Sequence, residues 1–104
     1  MNIAKMMKQA QQMQKKMGEV QEELAKQEVE ASVGGGKVVV IANGAGDVIS
    51  IKIDPAVVDP EDTELLEDLV LSGVKQAIEQ GKALSQDEMG KLTAGMGLPP
   101  GLGF

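Results

Sequence analysis

The chain has no cysteine, histidine, tryptophan, tyrosine or arginine, and its one aromatic residue is Phe104. Without cysteine and histidine there is no thiolate nucleophile, no imidazole base, no zinc site of the usual ligand set and no disulfide framework. A carboxylate pair or a lysine Schiff base remains chemically available, but neither has a recognisable spacing, so no enzyme is expected. No cofactor, metal or small-molecule substrate is expected either. No apolar run approaches the roughly 18 residues of a membrane span. Between Met1 and Lys8 there are two lysines, with no apolar segment of a secretory signal behind them. A soluble, cytoplasmic protein with no membrane attachment is the expectation. Its 104 residues can supply one compact domain.

What is present is patterned. From about Ile3 to Glu28 the chain is rich in Met, Gln, Lys, Glu and Ala, with no proline and one glycine, which predicts a single long helix. Ile3, Met6, Ala10, Met13, Met17, Val20 and Leu24 alternate at spacings of three and four, an a/d seam suited to packing against another helix. Such a helix would be roughly 37 Å long, against a radius of gyration of about 13 Å for a compact domain of this size. Part of it is therefore expected to project or to pair with another subunit.

The period then changes. Val29, Ala31 and Val33 alternate with Glu28, Glu30 and Ser32, as in a strand with one wet face. After Gly34-Gly35-Gly36, the run Lys37–Asn43 is β-branched and apolar on both faces, predicting a strand covered on both sides. Asn43-Gly44-Ala45-Gly46 is turn chemistry, and Ile49, Ile51 and Ile53 alternate with Ser50, Lys52 and Asp54. A second helix is predicted from Pro60, with Asp59 as N-cap, to about Lys82. Its apolar set of Leu65, Leu66, Leu69, Val70, Val74, Ala77 and Ile78 is broad enough to cover the sheet. The fold class is thus α+β, in the order α-β-β-β-α with a three-stranded antiparallel meander. Residues 1–84 form the dimerising domain and residues 85–104 a flexible tail rich in Gly, Pro and Leu. The seam and the doubly apolar central strand lack intramolecular cover, and a homodimer supplies it.

Charge carries the functional signal. The net charge is −6, from ten lysines against sixteen acids, which argues against a polyanionic partner. The distribution says otherwise: residues 1–18 carry +4 with no acid, and residues 54–68 carry −7 with no lysine. Lys5, Lys8, Lys15 and Lys16 fall within about a third of the helix circumference, away from the seam. Paired in a dimer, they could neutralise several phosphates. The plainer alternative is a solvated helix face. Lysine acts as a point charge, and bidentate reading of guanine is done best by arginine, so contact with duplex DNA would be of low sequence specificity. Gln9, Gln11, Gln12 and Gln14 could reach base edges or sugars and are equally ordinary helix residues. Met6, Met7, Met13 and Met17 could offer thioethers to copper, but the seam assigns three of them to packing. Neither glycine cluster has the spacing of a nucleotide-binding loop.

Several segments occur together in a specific order. They are Met7-Lys8-Gln9-Ala10-Gln11-Gln12-Met13-Gln14, Ala42-Asn43-Gly44, Ile53-Asp54-Pro55, Asp59-Pro60-Glu61-Asp62, Leu66-Glu67-Asp68-Leu69 and Gly97-Leu98-Pro99-Pro100-Gly101. As an ordered set they resemble the YbaB/EbfC family of bacterial nucleoid-associated DNA-binding proteins over essentially the whole chain. The resemblance implies a tweezer-like homodimer whose protruding helices approach double-stranded DNA, nucleoid-associated in the cytoplasm and without enzymatic activity. It implicates the first and last helices in DNA contact, which carries onto Lys5, Lys8, Lys15 and Lys16, and also onto Lys75 and Lys82. The reading from a different class is a dimeric protein-protein interaction module with an acidic surface and little DNA binding.

Overall fold

A computed structural model describes residues 2–95 of the chain. The order is α1 (Ile3–Lys26), β1 (Glu28–Val33), β2 (Val38–Asn43), β3 (Val48–Ile53), a 3-10 turn (Pro55–Val57) and α2 (Thr63–Gly95). The α+β class and the α-β-β-β-α order are as expected, with one antiparallel sheet in the order β1-β2-β3. The molecule is elongated, 70 × 20 × 16 Å with a radius of gyration of 19.2 Å.

Local chemistry sets the element ends. Asn2 caps α1, its side-chain oxygen accepting from the Lys5 amide at 3.1 Å. The helix stops where Gln27 turns extended (φ −90°, ψ 124°). Gly34, Gly35 and Gly36 all have positive φ, at 62°, 68° and 89°. Three consecutive left-handed residues are accessible at low cost only to glycine, so this triplet closes the β1–β2 hairpin. Asp54 caps the 3-10 turn, accepting from the Ala56 amide at 2.8 Å.

The second helix differs from expectation at both ends. Asp59 is consumed by a turn: its carboxylate accepts from the Glu61 amide at 2.9 Å and its carbonyl from the Asp62 amide at 2.9 Å. The helix therefore begins at Thr63, with Asp62 accepting from the Leu65 amide. It does not stop near Lys82 but continues to Gly95. Leu84, Ser85, Glu88, Met89, Leu92 and Thr93 form a half-buried to buried stripe at helical spacing. The stripe is partly polar, and a purely hydrophobic periodicity does not register it. Residues 85–95, assigned to the tail by composition, thus extend the helix; the Gly97-to-Gly101 segment and Phe104 lie outside the described residues.

One face of the sheet is wholly apolar. Cross-strand partners place Val33, Val38 and Ile53 in one row and Ala31, Val40 and Ile51 in the next. Val29, Ala42 and Val48 form the third row, beside a bulge between Ile41 and Ala42 that displaces Ile49. Helix α2 lies over β1 and β2. The core consists of Ala31, Val38, Val40, Ala42 and Ala77, with Leu69, Val70 and Val74 packed against it. The approach is close because α2 presents Gly73, Ala77 and Gly81 one turn apart. A Cβ at Gly73 would stand 2.8 Å from Val40 Cγ2, and one at Gly81 would run into the Asn43 carbonyl oxygen.

Among the described residues the central strand is covered on one face only. On the far face Val39 pairs with Ser32 and Lys52, and Ile41 with Glu30 and Ser50. Both apolar side chains are half-buried among polar neighbours. The uncovered apolar surface is instead on β3: α2 does not reach across it, and Val48, Ile49, Ile51 and Ile53 remain 39–51% exposed.

Candidate nucleic-acid interface

The projecting element is built from the crossing of α1 on α2. Leu24, 2% exposed, is its anchor. It presses on Gly44, where an added Cβ would come within 2.7 Å of Leu24 Cδ2. Asn43, buried beside it, ties three elements together. Its amide nitrogen donates to the Ala25 carbonyl at 3.1 Å, and its side-chain oxygen accepts from the Ala45 and Asp47 amides at 3.0 Å each. From this root the two helices run side by side in opposite directions. A cleft of about 310 Å³ sets Ser85 across from Gln21 and Leu24. A second cleft sets Glu88 across from Glu19, Val20 and Glu23.

The seam of α1 is accordingly covered in a gradient. Leu24 is buried, Val20, Met17 and Met13 are half-buried, and Ala10, Met6 and Ile3 are exposed, Ile3 at 69%. Over its C-terminal half α1 packs against this chain's own α2. The N-terminal half of α1 stands free of the described body.

Lys5, Lys8, Lys15 and Lys16 are all exposed on this arm. Along the same side of the helix Glu19 and Glu23 follow toward the root, Glu23 3.9 Å from Lys26. The arm is therefore basic at its tip and acidic at its base. The acids of residues 54–68 lie at the other end of the molecule, where Leu69 packs against the β1–β2 turn at Gly34. The charge asymmetry of the sequence becomes a spatial one along the long axis.

Lys75 and Lys82 are not brought to the tip. Both sit on the outer side of α2, over the body and near the crossing at Gly81. Lys82 lies about 30 Å from Lys5, counted by helical rise. Lys91 is held by acids, 3.3 Å from Asp87 and 3.6 Å from Glu88. The bond to Asp87 and its charge, with that of Glu88, raise the Lys91 pKa above the usual lysine range. Lys37 pairs with Asp54 at 3.4 Å. The Asp54 carboxyl is held below the usual range, first by the Ala56 amide and then by the Lys37 ammonium.

Among the described residues no cluster of three or more His, Cys, Asp or Glu is arranged to hold a metal ion. No described helix is long and apolar enough to cross a membrane. Two structural determinants escaped sequence reasoning: the Gly73, Ala77, Gly81 stripe and the partly polar stripe of Leu84 to Thr93. Small residues every fourth position were the available signal for the first.

Fold and charge together define a small α+β protein that carries a basic helical tip away from an acidic body. The chain belongs to the YbaB/EbfC DNA-binding family, whose model matches residues 1–96. It is 51% identical to a nucleoid-associated protein of Thermoanaerobacter sp. over 98 residues, 94% of this chain and 88% of that one. A nucleoid-associated protein of Akkermansia muciniphila is 48% identical over the full length of both chains. The crystal structure of an uncharacterized Helicobacter pylori protein, HP0035, shares the fold at 22% identity. Its TM-score is 0.64, covering 75% of this chain and 90% of that one.

Proposed function

We propose that this protein is a nucleoid-associated homodimer that binds duplex DNA in the cytoplasm with low sequence specificity. In this reading Lys5, Lys8, Lys15 and Lys16 on the α1 arms are the principal phosphate contacts. The observation that carries it is the gathering of +4 on the exposed N-terminal part of α1, at the end of the molecule opposite the −7 segment. A duplex meets the local field of the tip, while the acidic body limits affinity and directs contact away from itself. Lys75 and Lys82 act as a second, weaker contact, reached by a duplex that lies back along the body.

Mobility-shift titrations at several salt concentrations test this. Replacing Lys8, Lys15 and Lys16 by Gln should weaken binding and make the salt slope shallower, by about 0.9 for each phosphate no longer neutralised. Lys75→Gln with Lys82→Gln should change it less. An unaltered slope in the α1 variant would overturn the assignment.

The dimer is supported by apolar surface that one chain leaves open. Ile51 and Ile53, at 42% and 40% exposure, continue the core face past the reach of α2, and Leu65 and Leu71 are exposed at 46% and 54%. An exposed apolar face of this kind on an edge strand invites cover by a second chain. Sedimentation should show a dimer at micromolar concentration, and Ile51→Lys with Ile53→Lys should yield a folded monomer. A wild-type monomer refutes the dimer. The same exposed surface favours a second reading, a dimeric protein-protein interaction module with little DNA binding. Association with cellular partners that survives nuclease treatment would favour it.

A further inference from the structure

We infer that Gln9 and Gln12 read adenine at the major-groove edge, giving the arm a preference for A·T-rich duplex. This rests on the reading that the α1 lysines meet DNA. At about 100° per residue, Lys5, Lys8, Gln9, Gln12, Lys15 and Lys16 share an arc of roughly 120°. All six are exposed. Along the axis, the midpoints of the Lys5/Lys8 and Lys15/Lys16 pairs are about 13 Å apart at 1.5 Å per residue, close to the ~12 Å width of the major groove. The two glutamines lie midway between the pairs. When the lysine pairs straddle the groove on phosphates of opposite strands, the base edges lie under Gln9 and Gln12.

The chemistry then selects the base. A glutamine amide can accept from adenine N6–H2 through its oxygen and donate to N7 through its nitrogen, a bidentate pair no other base offers in the same sense. Neither side chain is spent within the protein: among the described residues none hydrogen-bonds to the side-chain amide of Gln9 or Gln12, whereas that of Gln76 is held by Ser72 at 3.0 Å. Gln11 and Gln14 differ only in azimuth. They point about 100° and 160° away from Gln12, off the lysine stripe, and serve as internal controls on the same helix. The selectivity is for base composition, because two amides per arm cannot define a long site.

The experiment uses the full chain and three duplexes of equal length at one low salt concentration. One is A·T-rich, one G·C-rich, and the third is the A·T-rich duplex with 7-deazaadenine for adenine, which removes N7 and leaves the minor groove unchanged. Wild type should bind the A·T-rich duplex about fivefold or more tightly than the G·C-rich one, and the deaza duplex should lose that margin. Q9A/Q12A should bring the ratio to within about twofold of unity while leaving the salt slope unchanged, since no charge is removed. Q11A/Q14A should keep the wild-type ratio, and alanine favours helix in all four positions.

A wild-type ratio near one, a ratio that survives Q9A/Q12A or deaza substitution, or an equal loss in Q11A/Q14A overturns the inference and leaves phosphate binding by the lysines standing. Failure to bind any of the duplexes overturns that underlying reading as well.

Discussion

Replacing Gly81 by alanine should destabilise the protein by about 2 kcal/mol, although alanine is the better helix former. In an open helical position the exchange gains about 1 kcal/mol. At Gly81 the new Cβ runs into the carbonyl oxygen of Asn43, with the Asn43 carbonyl carbon at 3.5 Å and Gly44 Cα at 4.0 Å. The partner is backbone, so no rotamer change relieves the contact. Asn43 is also pinned by three side-chain hydrogen bonds of 3.0–3.1 Å. The helix must retreat by on the order of 1 Å, enough to forfeit a quarter to a half of each dispersion contact at the crossing. Overpacking costs roughly 1–3 kcal/mol, with a rigid partner at or above the top of that range, and the propensity gain offsets part of it. For a domain of this size the melting temperature should fall by roughly 8–16 °C. With no tryptophan or tyrosine in the chain, unfolding is best followed by far-ultraviolet circular dichroism. Wild type and variant must be compared at one protein concentration, because any self-association contributes to apparent stability. A Gly81→Ala protein as stable as wild type would refute the close α2–Asn43 approach.

Three further outcomes are expected. Gly18, in α1, has nothing within 4 Å of an added Cβ, so Gly18→Ala should raise stability by about 0.5–1 kcal/mol in a urea titration, and a loss would show that the arm is packed at that point. Asn43→Ala strands the Ala25 carbonyl and the Ala45 and Asp47 amides, and should cost about 2–4 kcal/mol; a decrease under about 1 kcal/mol would refute its role as the tie between α1 and the hairpin. The Asp54 carboxyl has a lowered pKa in the folded state. Its contribution to stability is therefore present above the unfolded carboxylate pKa near 4 and is lost as pH falls through the lower folded value. Asp54→Asn should flatten the acid limb of stability against pH below about pH 5, and an unchanged limb would show that its hydrogen bonds carry no net linkage.

The basic tip also has a consequence for salt dependence. Exposed charges on a projecting helix are screened over about 8–10 Å at physiological ionic strength, so the acids at the opposite end of a 70 Å molecule do little to cancel the field at Lys5 and Lys8. The closer acids, Glu19 and Glu23, set where along the arm attraction ends. This gradient makes the tip the principal point of contact and leaves Lys75 and Lys82 the weaker one.

Much of the molecule was legible from residue order because the determining interactions are local. Helix and strand periods, the glycine triplet and the lysine face of α1 depend on neighbours within a few residues, and the α-β-β-β-α order follows from them. The same locality explains the two errors at α2. Its start depends on whether the Asp59 carboxylate caps a helix or a turn, and its continuation past Lys82 depends on a stripe of mixed polarity buried against α1. Which apolar surface stays open was equally hidden: β2 reads as the strand most in need of cover, yet the width and position of α2 leave β3 bare. The lysines could be identified one by one, but their separation from the acids could not. That separation exists because Gly73, Ala77 and Gly81 let α2 lie close along the sheet, and because Leu24 and Asn43 lock α1 antiparallel to its far end, so packing between distant segments converts a charge pattern along the chain into an electric asymmetry in space.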